Sequence, residues 1–126
     1  MMNRRQRGFA LIELLVVVAL IGILAAITLT IYSNVHARTR IAKAQADGRA
    51  LATAVSVYAA HVGTLPAVLD ELTTQVTNAQ GYPAGPFILA LPVAPAGWTP
   101  YAYSGNSATL AFSITTAGDG ATVAVP

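Results

Sequence analysis

Cysteine is absent from the 126-residue chain, which excludes disulfide staples, thiolate zinc sites and thiol nucleophiles. Charge is scarce too: 10% of residues are Asp, Glu, Lys or Arg, well under the ~25% of an ordinary soluble domain. Only two histidines occur, His36 and His61, far apart in the chain. No glycine-rich phosphate loop and no acidic cluster is present. Asp70 and Glu71 are adjacent, and on a helix neighbouring side chains point about 100° apart, a poor acid/base pair. Nothing here supports catalysis, so no catalytic residue, metal ligand or cofactor is expected.

Hydrophobic residues, by contrast, make up 55% of the chain, and they are concentrated between Gly8 and Ile31. From Leu14 to Ile31 no residue is charged, and at ~1.5 Å per residue this stretch spans about 27 Å as a helix, close to the hydrocarbon thickness of a bilayer. A buried core helix is the competing reading, but a domain this small cannot cover so long an apolar run. A cleaved secretory signal fits poorly as well. Arg4, Arg5 and Arg7 supply a basic leader, yet the apolar run exceeds the usual ~7–15 residues, and Leu24-Ala25-Ala26 offers no small-x-small cleavage site.

Glu13 is the informative residue, a single carboxylate one turn inside the apolar run. At the bilayer centre an acidic side chain costs up to ~2.5–3.5 kcal/mol on insertion scales, and less near the end where this one lies. It needs a cationic partner. Cleavage after Gly8 would create one, a free ammonium on Phe9, whose pKa of roughly 7.7–8 keeps it mostly protonated at neutral pH. A neighbouring parallel helix displaced by about one turn presents that ammonium to Glu13 more directly than the chain's own backbone does. The charge pair thus points to assembly.

The run R-G-F-A-L-I-E-L-L-V-V-V-A-L-I-G-I-L-A-A-I closely resembles the class III signal of type IV pilins and type II secretion pseudopilins. The resemblance implies cleavage after Gly8 by a prepilin peptidase on the cytoplasmic side, N-methylation of Phe9, and an assembly role for Glu13. It also implies a single-pass protein of the bacterial inner membrane with a cytoplasmic N-terminus and a periplasmic head, which reaches the cell surface when assembled in a filament. Its partners would be identical or homologous subunits, an inner-membrane assembly platform, a cytoplasmic motor, and membrane lipid before assembly. The chain departs from the family at Thr30, where a proline is common. Gly22 remains as the flexible point of the helix.

Charge alone does not set orientation, because Arg38, Arg40 and Lys43 follow the span. The formal charge of +2 falls to −1 on the side chains once Arg4, Arg5 and Arg7 are removed, so no nucleic-acid partner is expected. Beyond the span the helix should continue, since no Pro or turn cluster occurs before Gly63. Ile41, Ala44, Gly48, Leu51, Val55, Tyr58 and Val62 recur at spacings of three and four as an apolar stripe. Phe9 to Val62 would run roughly 80 Å as one helix. Arg38, Arg40, Lys43 and Arg49 then form either a solvated face or pairs with acids of neighbouring subunits.

Gly63 and Pro66 end the helix, with His61 in the last turn, where the helix dipole favours it. Residues 66–76 suit a short helix, with Val68, Leu69, Leu72 and Val76 on its apolar face, and Asn78 to Pro86 suits a loop. Phe87 to Leu91 is a candidate strand. A hairpin follows, turning at Ser104 to Ser107, with Leu110, Phe112 and Ile114 on the buried face. Ala117-Gly118-Asp119-Gly120 makes the next turn and Ala121 to Val125 a third strand.

The expected fold is α+β: a long N-terminal helix packed on a small antiparallel β-sheet head, similar to pilins. The expected divisions are a leader at 1–8, a membrane or filament-core helix at 9–31, an amphipathic helix half at 32–62 and the head at 63–126. Trp98, Tyr101 and Tyr103 are either core packing or a contact for subunits or cargo. Major pseudopilins usually bind calcium through clustered acids near the C-terminus; Asp119 alone cannot supply six to eight oxygens, so that site is not carried over. The expected function is a structural subunit of a type IV filament, pseudopilus or pilus. The alternative is a membrane-anchored binding module that does not polymerise.

Overall fold

A computed structural model describes residues 4–126, with side chains from Gly8 onward; Met1 to Asn3 and the side chains of the leader arginines lie outside the described residues. Helix α1 covers Arg4–Val62. The chain divides into two compact units, residues 1–37 and 38–126.

In the first unit α1 is apolar and uncovered, with every described residue from Gly8 to His36 exposed. Thr28 and Thr30 turn their hydroxyls back on the Leu24 and Ile27 carbonyls at 2.8 and 2.9 Å, and Ser33 bonds Thr30 O at 3.1 Å. Those hydroxyls therefore need no solvent partner, which suits a helix in lipid. The helix passes through Gly22 and Thr30 without a break.

In the second unit, α1 is alanine-rich, the best composition for a helix, and the expected stripe faces inward. Ala44, Leu51, Val55 and Tyr58 are buried, as is Ala54, a residue the stripe omits. The helix stops as expected: Gly63 adopts φ 89 and its N–H bonds the Ala59 carbonyl at 2.8 Å.

A 3₁₀ helix at Leu69–Thr73 replaces the longer helix expected over 66–76. Only Leu72 of its apolar residues is fully buried, and Val68 is half exposed. Strands β1 (Val76–Thr77) and β2 (Pro83–Ala84) form a short antiparallel ladder, with Val76 expected at the end of the helix and Pro83–Ala84 in the loop. Asn78 closes it, its side chain accepting the Gln80 and Tyr82 amides at 3.1 and 2.8 Å. Phe87 to Leu91 is not a strand. The Phe87 and Ile88 amides both donate to the Leu72 carbonyl, which leaves the segment no ladder to join.

Strands β3 (Ala102–Asn106), β4 (Ala111–Gly118) and β5 (Ala121–Val125) form an antiparallel sheet in the order β3-β4-β5. The hairpin turns three residues later than its glycine suggests. Gly105 lies within β3, opposite Phe112, because the Tyr103 ring passes over it: a Cβ there would sit 2.6 Å from the phenol oxygen. Asn106 starts the actual turn, accepting the Ala108 amide on its side chain at 3.0 Å. Leu110 thus belongs to the turn, at φ 55 and half exposed, and the inward face of β4 is Phe112, Ile114 and Thr116. Leu51, Val55, Leu72 and Ile114 are fully buried, each worth about 1.5–3 kcal/mol of burial.

Candidate assembly site

The candidate assembly site is built on one element. Phe9, 74% exposed, precedes Glu13 by four residues, one turn or ~6 Å along the axis. Glu13 lies in a shallow apolar groove with Phe9, Ile12, Val16 and Val17. Among the described residues no hydrogen bond or ion pair reaches its carboxylate. Among the described residues, one helix is long and apolar enough to cross a membrane, and none of its apolar window is buried within the chain.

Of the four basic residues on the helix face, Arg38 and Arg49 are exposed, as the solvated-face reading expects, while Arg40 and Lys43 find partners that neither reading supplied. Arg40 forms a bidentate pair with Asp119, Nε to Oδ2 at 2.6 Å and Nη2 to Oδ1 at 2.7 Å. Lys43 donates to Asp47 and to the Val93 carbonyl. Both cations therefore have carboxylate partners within the head while their side chains stay partly exposed. Asp119 is held down to about 2 by the Arg40 bond and then by the Trp98 N–H.

Trp98 is buried, its indole N–H donating to Asp119 Oδ2 at 2.8 Å. Tyr101 and Tyr103 are half-buried, with hydroxyls on Asp47 at 2.8 Å and on the Pro66 carbonyl at 3.0 Å. Their polar tips are engaged inside the head. Burial, and then the bond to Asp47, push the Tyr101 phenol well above its ordinary range. These partners are separated by tens of residues, and no local motif announces them; the sequence flags only the A-G-D-G turn that presents Asp119.

Calcium does not fit the residues present. Both Asp119 oxygens are occupied by the guanidinium and the indole. Among the described residues no three His, Cys, Asp or Glu side chains gather as a metal-binding group.

An uncovered apolar helix with one unpaired carboxylate, joined in sequence to a small α+β head, defines a pilin-like protein. The profile of the prokaryotic N-terminal methylation motif matches residues 3–29, and that of type II secretion system protein G matches residues 32–124. The chain belongs to this family of type IV pilins and type II secretion pseudopilins, which are structural filament subunits. It is 51% identical over 51 residues to a fimbrial protein of Pseudomonas aeruginosa, covering 40% of this chain and 33% of that protein. A type IV major pilin protein of Neisseria gonorrhoeae is 40% identical over 65 residues, 52% of this chain and 39% of its own length. The matches thus span between a third and two fifths of these relatives. No solved structure matches significantly.

Proposed function

We propose that the chain is a subunit of a type II secretion pseudopilus. The observation that carries this reading is the match of the head to secretion protein G over residues 32–124, whereas the matches to the two pilins cover 51 and 65 residues. A type IV pilus is the second reading, favoured by the names of those same relatives.

In the proposed cycle the prepilin peptidase cuts between Gly8 and Phe9, releasing residues 1–8 on the cytoplasmic side of the inner membrane, and Phe9 is N-methylated. Residues 9–31 hold the subunit in lipid, and residues 32–62 carry the head of residues 63–126 in the periplasm. The new ammonium of Phe9 then pairs with Glu13 of an adjacent subunit. Two charges that are each costly in hydrocarbon are satisfied together, which biases addition of the next subunit. Extraction from lipid takes work from the assembly platform and its cytoplasmic motor. Gly22 lowers helix propensity by roughly 1 kcal/mol relative to alanine and is the point where α1 adjusts as it packs.

The test is the N-terminal mass of the exported chain, expressed with its native peptidase and assembly machinery, for wild type and Glu13→Leu, with sheared filaments and secreted protein assayed together. A chain beginning at methylated Phe9, filaments lost in the variant, and a secretion defect on deletion support the pseudopilus. Filament loss with unimpaired secretion selects the pilus. A wild-type chain that keeps its leader and forms no filament would leave the non-polymerising, membrane-anchored binding module.

A further inference from the structure

Among the described residues, the head and the part of α1 it packs on carry unpaired charges of both signs, Arg38 and Arg49 on one flank and Asp70 on the other. Of its ionic side chains, Arg40 and Asp119 are consumed in one internal pair, Lys43 and Asp47 in another. Glu71 accepts the Tyr58 hydroxyl at 3.0 Å and the Ala67 amide at 3.1 Å. Arg38, Arg49 and Asp70 are exposed, and among the described residues none of the three has an ion-pair partner.

Helix geometry places Arg49 and Asp70 on different sides. At 100° per residue, Arg49 stands about 160° from Asp47 around α1. The contacts agree. Arg49 and Gln45 border the recess along β5 and the residue after it, Thr122 to Pro126, while Lys43 and Asp47 reach Val93 and Tyr101 on the other flank. The 3₁₀ helix lies on that second flank, since Glu71 bonds Tyr58 and Leu69 borders the same apolar recess as Val93 and Tyr101. Asp70 therefore cannot meet Arg49 of its own head.

We propose that Asp70 of one head pairs with Arg49 of the next, joining the subunits side by side. The occupant of each flank is a second copy of this chain. The same Asp70 flank exposes Val93 at 81% and, from the same loop, Leu89 at 92%. The loop is held by Lys43 at Val93 and by the Phe87 and Ile88 amides on Leu72, so these apolar side chains are presented in a fixed position for the neighbour to cover. Asp70 sits near the level of Tyr58, nine positions above Arg49, a stagger of ~13 Å of which the arginine arm takes up part. Two different surfaces in contact make a heterologous joint, which propagates into an open helical array instead of closing on a dimer. Arg38 lies on the Arg49 flank but ~16 Å further down the helix, out of register for this pairing.

The inference rests on the filament reading, and its test separates the two. Full-length Asp70→Arg and Arg49→Asp are each expected to lower the yield of sheared filaments at least about tenfold, since like charges meet at the joint. The double reversal restores assembly, and Arg38→Asp leaves it unchanged. Membrane-fraction levels equal to wild type exclude misfolding as the cause. Because the chain has no cysteine, an Asp70→Cys, Arg49→Cys double variant gives an uncomplicated second measurement: oxidised filaments run as a ladder of linked subunits, and single cysteines do not. Wild-type filaments with unaffected single reversals, a double reversal no better than either single, or a ladder formed instead with Arg38→Cys would each overturn the joint while leaving the filament reading intact. Absence of wild-type filaments is instead the failure of that reading.

Discussion

Asp119 joins two residues far from it in the chain: its carboxylate takes the Arg40 guanidinium at 2.6 and 2.7 Å and the Trp98 indole N–H at 2.8 Å. The aspartate sits at φ 51 in the turn between β4 and β5. A tight turn, the head part of α1 and the buried tryptophan are thus fastened at one point. The fork geometry of arginine suits this role, and lysine would lose half of the contact.

Acid should loosen that fastening. Asp119 titrates at about 2 in the fold, below its ordinary 3.8. A depressed carboxylate contributes stability that is fully present above its unfolded value and lost as pH falls through the folded one. Thermal unfolding of the full chain in detergent should show an extra loss between about pH 4 and pH 2. In Asp119→Asn that increment should vanish, with lower stability at neutral pH. An identical pH profile in the variant would show that the pair contributes nothing.

Calcium should have no effect on the head. An ion bound at a hundredfold excess over its dissociation constant adds about 2.7 kcal/mol, enough to move Tm by several degrees. With Asp119 occupied by Arg40 and Trp98, chelation and added calcium are expected to give the same Tm. A calcium-dependent rise would reveal donors outside the Asp119 cluster.

Gly118 should tolerate no side chain. A Cβ at this position would overlap Cδ1 and Cγ of the Trp98 indole, and Trp98 has little freedom to retreat because its N–H is fixed to Asp119. Gly118→Ala is expected to cost about 1–3 kcal/mol as overpacking, read as a lower Tm and altered tryptophan fluorescence. An unchanged emission spectrum would mean that the ring does not lie over the strand.

The helical half of the fold is legible in the sequence because one periodicity governs it. The Ile41 to Val62 stripe and the Gly63 stop depend on neighbours three and four residues apart, and the motif around Gly8 and Glu13 is contiguous. The head is less legible because its partners are distant. Gly105 reads as a turn residue until Tyr103 is seen lying over it, and Phe87 to Leu91 reads as a strand until both amides are found on Leu72. Lys43 meets Asp47 at the local i,i+4 spacing, but Asp119, which takes Arg40, and the Val93 carbonyl, which Lys43 also holds, lie 79 and 50 residues away. No local pattern encodes such a separation.

Tyr101 offers a test of the second internal network. Its hydroxyl and Lys43 share Asp47 Oδ2, and Lys43 also holds the Val93 carbonyl, so the phenol steadies the residue that positions the loop. Tyr101→Phe keeps the ring and removes one hydrogen bond to a carboxylate, a loss of about 1.5–3 kcal/mol. The sign with pH follows from the raised phenol. The protonated form is the one bound in the fold, so its contribution is present below the ordinary tyrosine value near 10 and is lost only as pH rises through the higher folded value. Amide exchange should report the same network locally, with the Trp98 amide, bonded to Pro95 O at 3.0 Å, exchanging faster in the variant while the Ile114 amide in β4 is unaffected. Equal acceleration at both positions would instead mean that the whole head had been destabilised, and that the phenol acts through global stability and not through the loop.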